Sequence, residues 1–298
     1  MSKPNKPETS IEAGIERIRP DRYGGVKGWI EAGSLHVLLG TIVLLALSPI
    51  LLAFVMSTQT TLEVYEITNV TPGSELLSNY ATLIAEYRFG TYMANSLVMT
   101  VVIIAGKLSF SLLAATALVF YDFPYRDAVF YLILFTLLLP IPVRIVPLYQ
   151  LMIDVGWANS FAGLTAPYIA SATAVFLFRQ RFRSIPTSVI EAAKMDGVGP
   201  IRFLVYVLIP MSKGMIAGVV VIMFISMWNK YLWPLVVITD GSQQVVQVGL
   251  RFIQGTAAEG LVQWNLVIAG ATLALLPPLV VLVLFYRQLL NTFGVEQY

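Results

Sequence analysis

The chain has 298 residues, 57% of them hydrophobic and only 12% charged, with a mean hydropathy of +0.76. Soluble domains carry about twice that charge, so most of this surface must face something other than water. A formal charge of +2 with no basic run gives nucleic acid no footprint. The lack of cysteine excludes disulfides, thiolate metal sites and Cys nucleophiles, and one histidine, His36, leaves little for zinc or Ser-His chemistry.

In chain order, residues 1–30 are polar, and Ser10 can cap a short helix with Ile11, Ile15 and Ile18 on one face, ending before Pro20. No secretory signal is expected, because the first apolar block begins only after about thirty polar residues and is too long. A helix needs about 20 mainly apolar residues to cross a hydrocarbon core. Blocks at 34–57, 92–118, 128–151, 160–178, 208–229 and 264–286 fit that length. The expected architecture is all-α, with six transmembrane helices over 31–290 and a short tail at 291–298.

Pro49, Pro140, Pro142, Pro147, Pro167, Pro277 and Pro278 are expected to break several of these helices. A membrane tolerates such breaks only where neighbouring helices or a water-lined cavity satisfy the freed carbonyls. Orientation follows from the basic residues. Lys3, Lys6, Arg17, Arg19, Arg22 and Lys27 precede the first block, Arg126 follows the second and Arg287 the last. The 179–213 segment adds Arg179, Arg181, Arg183, Lys194, Arg202 and Lys213, whereas the opposite loops hold only Arg88, Lys230 and Arg251. Both termini and the 184–210 segment are therefore expected in the cytoplasm. Residues 58–91, with Glu63, Glu66, Glu75, Glu86 and the turn Pro72-Gly73, are expected to form an external cap of small helical pieces.

The most informative segment lies between the fourth and fifth blocks. Ser184 and Pro186 open a helix, Glu191-Ala192-Ala193-Lys194-Met195 favour it strongly, and Gly197 and Gly199-Pro200 stop it in a sharp turn. Ile201, Phe203 and Leu204 offer an apolar face, and Pro210 marks the bend into the fifth block. The pattern is Glu191-Ala192-Ala193, three residues, Gly197, nine residues, then Val207, Leu208, Ile209 and Pro210. It resembles the EAA loop of ATP-binding-cassette importer permeases, with Val207 and Ile209 standing where that pattern has Ile and Leu.

Other stretches extend the resemblance to the carbohydrate-type permeases, a group that includes the maltose and sn-glycerol-3-phosphate systems. Leu139-Pro140-Ile141-Pro142-Val143-Arg144-Ile145, Phe176-Leu177-Phe178-Arg179-Gln180, Trp228-Asn229-Lys230-Tyr231-Leu232-Trp233-Pro234 and Trp264-Asn265 are most similar to the second-permease branch of the glycerol-3-phosphate importers. The resemblance implies a type I importer permease in a prokaryotic inner or plasma membrane. It implies a sister permease, a homodimeric cassette ATPase and an extracytoplasmic solute-binding protein as partners. It also implies that Glu191, Ala192, Ala193, Asp196, Gly197 and Pro210 couple the chain to that ATPase. The 238–263 segment resembles the external loop that meets the binding protein. ATP and magnesium would bind the partner: the chain has no G-x-x-x-x-G-K-[ST] loop, since Gly106-Lys107 is followed by Leu108 inside an apolar block.

Lys107 and Arg144 stand inside the second and third blocks, which contain no carboxylate. A cation at mid-bilayer costs roughly 2.5–3.5 kcal/mol on insertion scales and so faces the bundle interior or an aqueous path. Both could line a pathway and favour an anion, with Arg144 able to hold a phosphate bidentately. Both could equally bond carbonyls freed by the prolines or pair with the sister permease. Trp228, Asn229, Trp233, Trp264 and Asn265 have two readings, an interfacial aromatic belt or stacking and amide groups beside the solute path. A phosphate ester fits the cations better than a neutral sugar, and an oligosaccharide remains the alternative. An ion-coupled transporter would place Asp, Glu or His at depth in the spans, and these spans have none.

Overall fold

The computed structural model describes residues 26–292 apart from Ile67, Thr256 and Glu259, so the expected Ser10 helix lies outside the described residues. The chain divides into two compact units, Met1–Leu52 and Ala53–Tyr298. The first contains most of α1 (Val26–Met56), whose segment Leu35–Met56 has a mean hydropathy of 2.6. At about 1.5 Å per residue those 22 residues reach roughly 33 Å, enough for a hydrocarbon core. Pro49 sits inside α1 without breaking it. Its missing N–H leaves the Leu45 carbonyl free, and Ser48 Oγ donates to that carbonyl at 2.8 Å.

The second unit opens with α2 (Thr61–Tyr65), α3 (Leu76–Ala85) and the long α4 (Phe89–Phe120). Next come α5 (Arg126–Phe135) with a 3-10 turn at Thr136–Leu138, α6 (Ile141–Asp154), α7 (Phe161–Thr165) with a 3-10 turn at Ala166–Tyr168, and α8 (Ala172–Arg183). Then follow α9 (Thr187–Met195), α10 (Pro200–Phe203), a π turn (Leu204–Leu208), α11 (Ile209–Met211) and α12 (Lys213–Trp228). The last elements are α13 (Leu232–Val237), a 3-10 turn (Gly241–Gln243), α14 (Val246–Gly255), a small β-ladder and α15 (Trp264–Thr292). In that ladder β1 (Ala257–Ala258) pairs antiparallel with β2 (Leu261–Val262), Ala257 opposite Val262.

Among the described residues, four segments are long and apolar enough to cross a membrane: Leu35–Met56, Phe89–Phe120, Phe161–Arg183 and Trp264–Gln288. Two bent pairs raise the number to six if each counts as one span. The span expected over 128–151 is one of them, bent by 105° between Leu138 and Pro142, beside the expected break at Pro140 and Pro142. Leu139 is extended because the ring of the following Pro140 disfavours helical backbone there. The other is the fifth block: α12 begins at Lys213, and an 84° bend separates it from Pro200–Met211. That bend lies at Ser212 rather than at the expected Pro210. Pro210 instead stays helical in α11, and the π turn just before it widens the backbone so that Ile209 N–H reaches Leu204 O.

The other prolines are a second correction, because Pro147, Pro277 and Pro278 lie inside continuous helices. The freed carbonyl before Pro278 is Ala274 O, and the Trp228 indole N–H donates to it at 2.9 Å. Pro167 likewise frees Gly163 O, and the Trp233 indole donates to Gly163 O and Leu164 O, both at 3.2 Å.

Around α4 pack α8 and α12, and α15 packs on α12. Phe89, Phe178, Phe182, Leu208, Phe224 and Trp228 are buried there. Among lipid tails, close packing rather than exclusion of water drives this assembly. Gly106 shows how close: a Cβ there would lie 2.8 Å from Ile169 Cβ, so α4 meets the bend after α7 directly. At the end of the unit where α15 begins, buried Asn79 donates to Ser57 O and Gln59 O, both at 2.9 Å. Asn265 donates to Asn79 Oδ1 at 2.8 Å and accepts from Thr61 Oγ1 at 3.0 Å, which knots α2, α3 and α15 together.

Candidate functional site

The 184–212 segment is a knob closed by its own backbone. After α9, Asp196 holds the last helical carbonyls and Gly197 turns left-handed with φ +65°. Gly197 N–H reaches Lys194 O at 3.1 Å and Val198 N–H reaches Ala193 O at 3.0 Å, the paired bonds of a Schellman ending. A Cβ at Gly197 would meet nothing within 4 Å, so the demand for glycine there comes from the backbone angle alone. Ala193 is buried against the core, while Glu191, Ala192 and Asp196 are exposed and Met195 is 89% exposed. The Glu191 side chain has no hydrogen bond or ion pair among the described residues.

The knob is fixed to the bundle at both ends. Arg181 of α8 donates to Ser184 Oγ at the start and to the Met211 carbonyl at the end. Phe203 meets Phe120 of α4 edge-on at 5.2 Å, and Phe120 lies 6.2 Å from Phe182 of α8. Phe203 and Leu204 are buried, but Ile201, expected on the same face, is 62% exposed because it points away from that aromatic cluster. A shift of the knob must therefore move the ends of α4, α8 and α12.

Beside α4 is an open cavity of about 880 Å³ lined by α4, the 136–148 break, the 167–175 bend and the end of α12, with Arg144 on its exposed side. Such volumes suit small ligands. Lys107 and Arg144, singled out in the sequence, both line it, and so does Lys230, which the sequence placed in an external loop. Lys230 Nζ lies 4.6 Å over the Tyr168 ring. Ser111, Thr136, Ser171, Thr173 and Ser226 add polar atoms, and no carboxylate lines the cavity. Among the described residues none of these cations makes an ion pair. The signal that could have found Lys230 is its spacing from Trp228, which keeps it beside the end of α12.

The other pathway candidates stand elsewhere. Trp228 and Trp233 are each only 1% exposed and serve the proline carbonyls described above, and neither lines a described cavity. Asn265 is buried in the knot with Asn79, and both ends of its amide are used there. Trp264 is partly exposed and lines none of the described cavities. Asn229 is exposed and tied to Ile225 O and Gln247. At the same end, Asn159 Oδ1 accepts from Thr239 and Asp240 N–H, and the Ser242 backbone N–H, then its hydroxyl, hold the Asp240 carboxyl below the usual carboxylate range.

Residues 107–292 match the family described as binding-protein-dependent transport system inner membrane component. The chain is 39% identical over 259 residues to the sn-glycerol-3-phosphate transport system permease protein UgpE of Salmonella typhi, covering 85% of this chain and 92% of that one. It is 40% identical over 261 residues to the protein of the same name from Rhizobium meliloti, with the same shares covered. Among solved structures, it is similar to a chain of a bacterial ABC transporter involved in the import of the acidic polysaccharide alginate. There the TM-score is 0.76 at 26% identity, covering 90% of this chain and 99% of that one. A bacterial alginate ABC transporter in complex with an alginate pentasaccharide-bound periplasmic protein shares the fold, with a TM-score of 0.57 at 13% identity. With its apolar spans and this likeness along most of its length, the chain belongs to the inner-membrane components of binding-protein-dependent transport systems, a permease of ABC importers and not itself an enzyme.

Proposed function

We propose that the chain is one of two permeases in an importer of sn-glycerol-3-phosphate or a related phosphate ester, in a prokaryotic inner or plasma membrane. A homodimeric cassette ATPase, which holds ATP and magnesium, docks on the 184–212 knob, and a sister permease completes the pathway. An extracytoplasmic binding protein delivers solute at the opposite end, near the 238–263 segment. Each bent helix pair counts as one span, which gives six, and the basic residues put both termini and the knob in the cytoplasm. Glu191, Ala192, Met195 and Asp196 face the ATPase, Ala193 anchors the helix, and Gly197 closes it. Closure of the ATPase dimer pulls the knob, and the Arg181 and Phe120–Phe203 contacts carry that motion into α4, α8 and α12.

The observation that carries the solute class is the cavity lined by Lys107, Arg144 and Lys230 with no carboxylate, which favours an anion over a neutral sugar. Two of the similar proteins are named for anionic solutes, a phosphate ester and an acidic polysaccharide. The test is uptake by the reconstituted complex of radiolabelled sn-glycerol-3-phosphate, glycerophosphocholine, maltose and trehalose. ATP-dependent uptake of a phosphate ester is expected; uptake of maltose or trehalose alone overturns the reading.

A further inference from the structure

The bend before α8 exposes more than a side-chain charge. Ser171 Oγ accepts the Ala174 N–H at 3.3 Å, while the amides of Ala172 and Thr173 have no acceptor among the described residues. Both residues line the 880 Å³ cavity. A helix amino terminus carries the equivalent of about half a positive charge and presents N–H groups suited to anions. That end opens where Lys107 lies. Lys107 is only 8% exposed, and its side chain has no hydrogen bond or ion pair among the described residues. Arg144 and Lys230 line the same space, with Lys230 over the Tyr168 ring.

We propose that Lys107, Arg144, Lys230 and the first turn of α8 form one subsite that takes the doubly charged phosphate of a phosphomonoester inside the membrane. The proposal rests on the phosphate-ester reading above and adds the place and charge of the bound group. A monoester phosphate is small and carries close to two charges at neutral pH, so it can answer several cations at once. A diester carries one charge and blocks one side of its phosphorus with a second carbon chain. Lys107 also lines an adjoining cavity of about 160 Å³ with Ser171, Leu177 and Met223, which neither Arg144 nor Lys230 reaches.

The test uses proteoliposomes holding the complete importer with its ATPase, sister permease and binding protein. Uptake of sn-glycerol-3-phosphate is compared with that of glycerophosphoglycerol, a singly charged diester, at saturating binding protein. Lys107→Gln and Lys230→Gln are each expected to lower monoester uptake roughly tenfold, the worth of one charge-assisted hydrogen bond. Diester uptake should fall about threefold or less, and Lys107→Arg should restore most of the monoester activity. Equal losses for both esters, or unchanged monoester uptake in both glutamine variants, would overturn the subsite. So would a Lys107→Gln chain that no longer assembles with the sister permease while Lys230→Gln behaves as wild type, since Lys107 would then be pairing across that interface. Wild-type uptake of maltose and of neither ester would instead defeat the broader phosphate-ester reading.

Discussion

Two kinds of interrupted backbone stand in contrast among the described residues. At Pro49, Pro167 and Pro278 the carbonyl that proline frees receives a side-chain donor, from Ser48, Trp233 and Trp228 respectively. The Schellman ending at Gly197 closes the knob just as fully. At Leu139-Pro140 and at Ala170-Ser171, by contrast, the break opens on a cavity lined by cations without counter-charges. Closed breaks hold the bundle's shape, and open ones border the cavity proposed to take solute. Backbone groups in lipid must be satisfied internally, so leaving one open requires water or a ligand beside it.

Four substitutions test that division, in order of expected effect. Gly197→Val forces a β-branched residue into a left-handed angle at a cost of about 1–3 kcal/mol. Uptake should fall at least tenfold while ATP hydrolysis by the complex continues; normal uptake would remove the knob from coupling. Trp228→Phe strands the Ala274 carbonyl and should lower stability by about 1–3 kcal/mol, read as thermal unfolding of the purified complex. Adding Pro278→Ala restores a backbone donor to that carbonyl and should recover most of the loss. A Trp228→Phe chain as stable as wild type would break the pairing of indole with proline. Arg144→Ala, at an open break, should raise the phosphate ester concentration for half-maximal uptake roughly tenfold without moving the unfolding temperature. Unchanged uptake, or a stability loss like that of Trp228→Phe, would put Arg144 among the structural residues. Trp233→Phe should be mildest, about 1 kcal/mol, because its indole shares one N–H between two carbonyls at 3.2 Å.

The knob was legible in the sequence because helix-favouring Glu191–Met195 runs into a glycine at the right offset, and local chemistry decides both features. Lys107 and Arg144 were legible because a charge in an apolar block has few places to go. Lys230 was not, since Asn229 and Lys230 follow the apolar block and hydropathy alone assigns them to a loop. The hydrogen-bond partners of Trp228 and Trp233 were not legible for a different reason. An indole needs one acceptor, and sequence spacing cannot show that prolines far along the chain would supply it. The break in the third block was legible from Pro140 and Pro142, but its 105° angle was not, because hydropathy is blind to direction.

The claim beneath all of this is that an ATPase sits on the knob, and the lack of native cysteine makes it directly testable. Met195→Cys, at a position 89% exposed, would be coupled to a maleimide photo-crosslinker in the assembled importer and illuminated. A covalent adduct with the ATPase subunit, its yield changing when ATP is added, is the result expected. A knob that labels freely in the intact complex and yields no adduct would contradict the account.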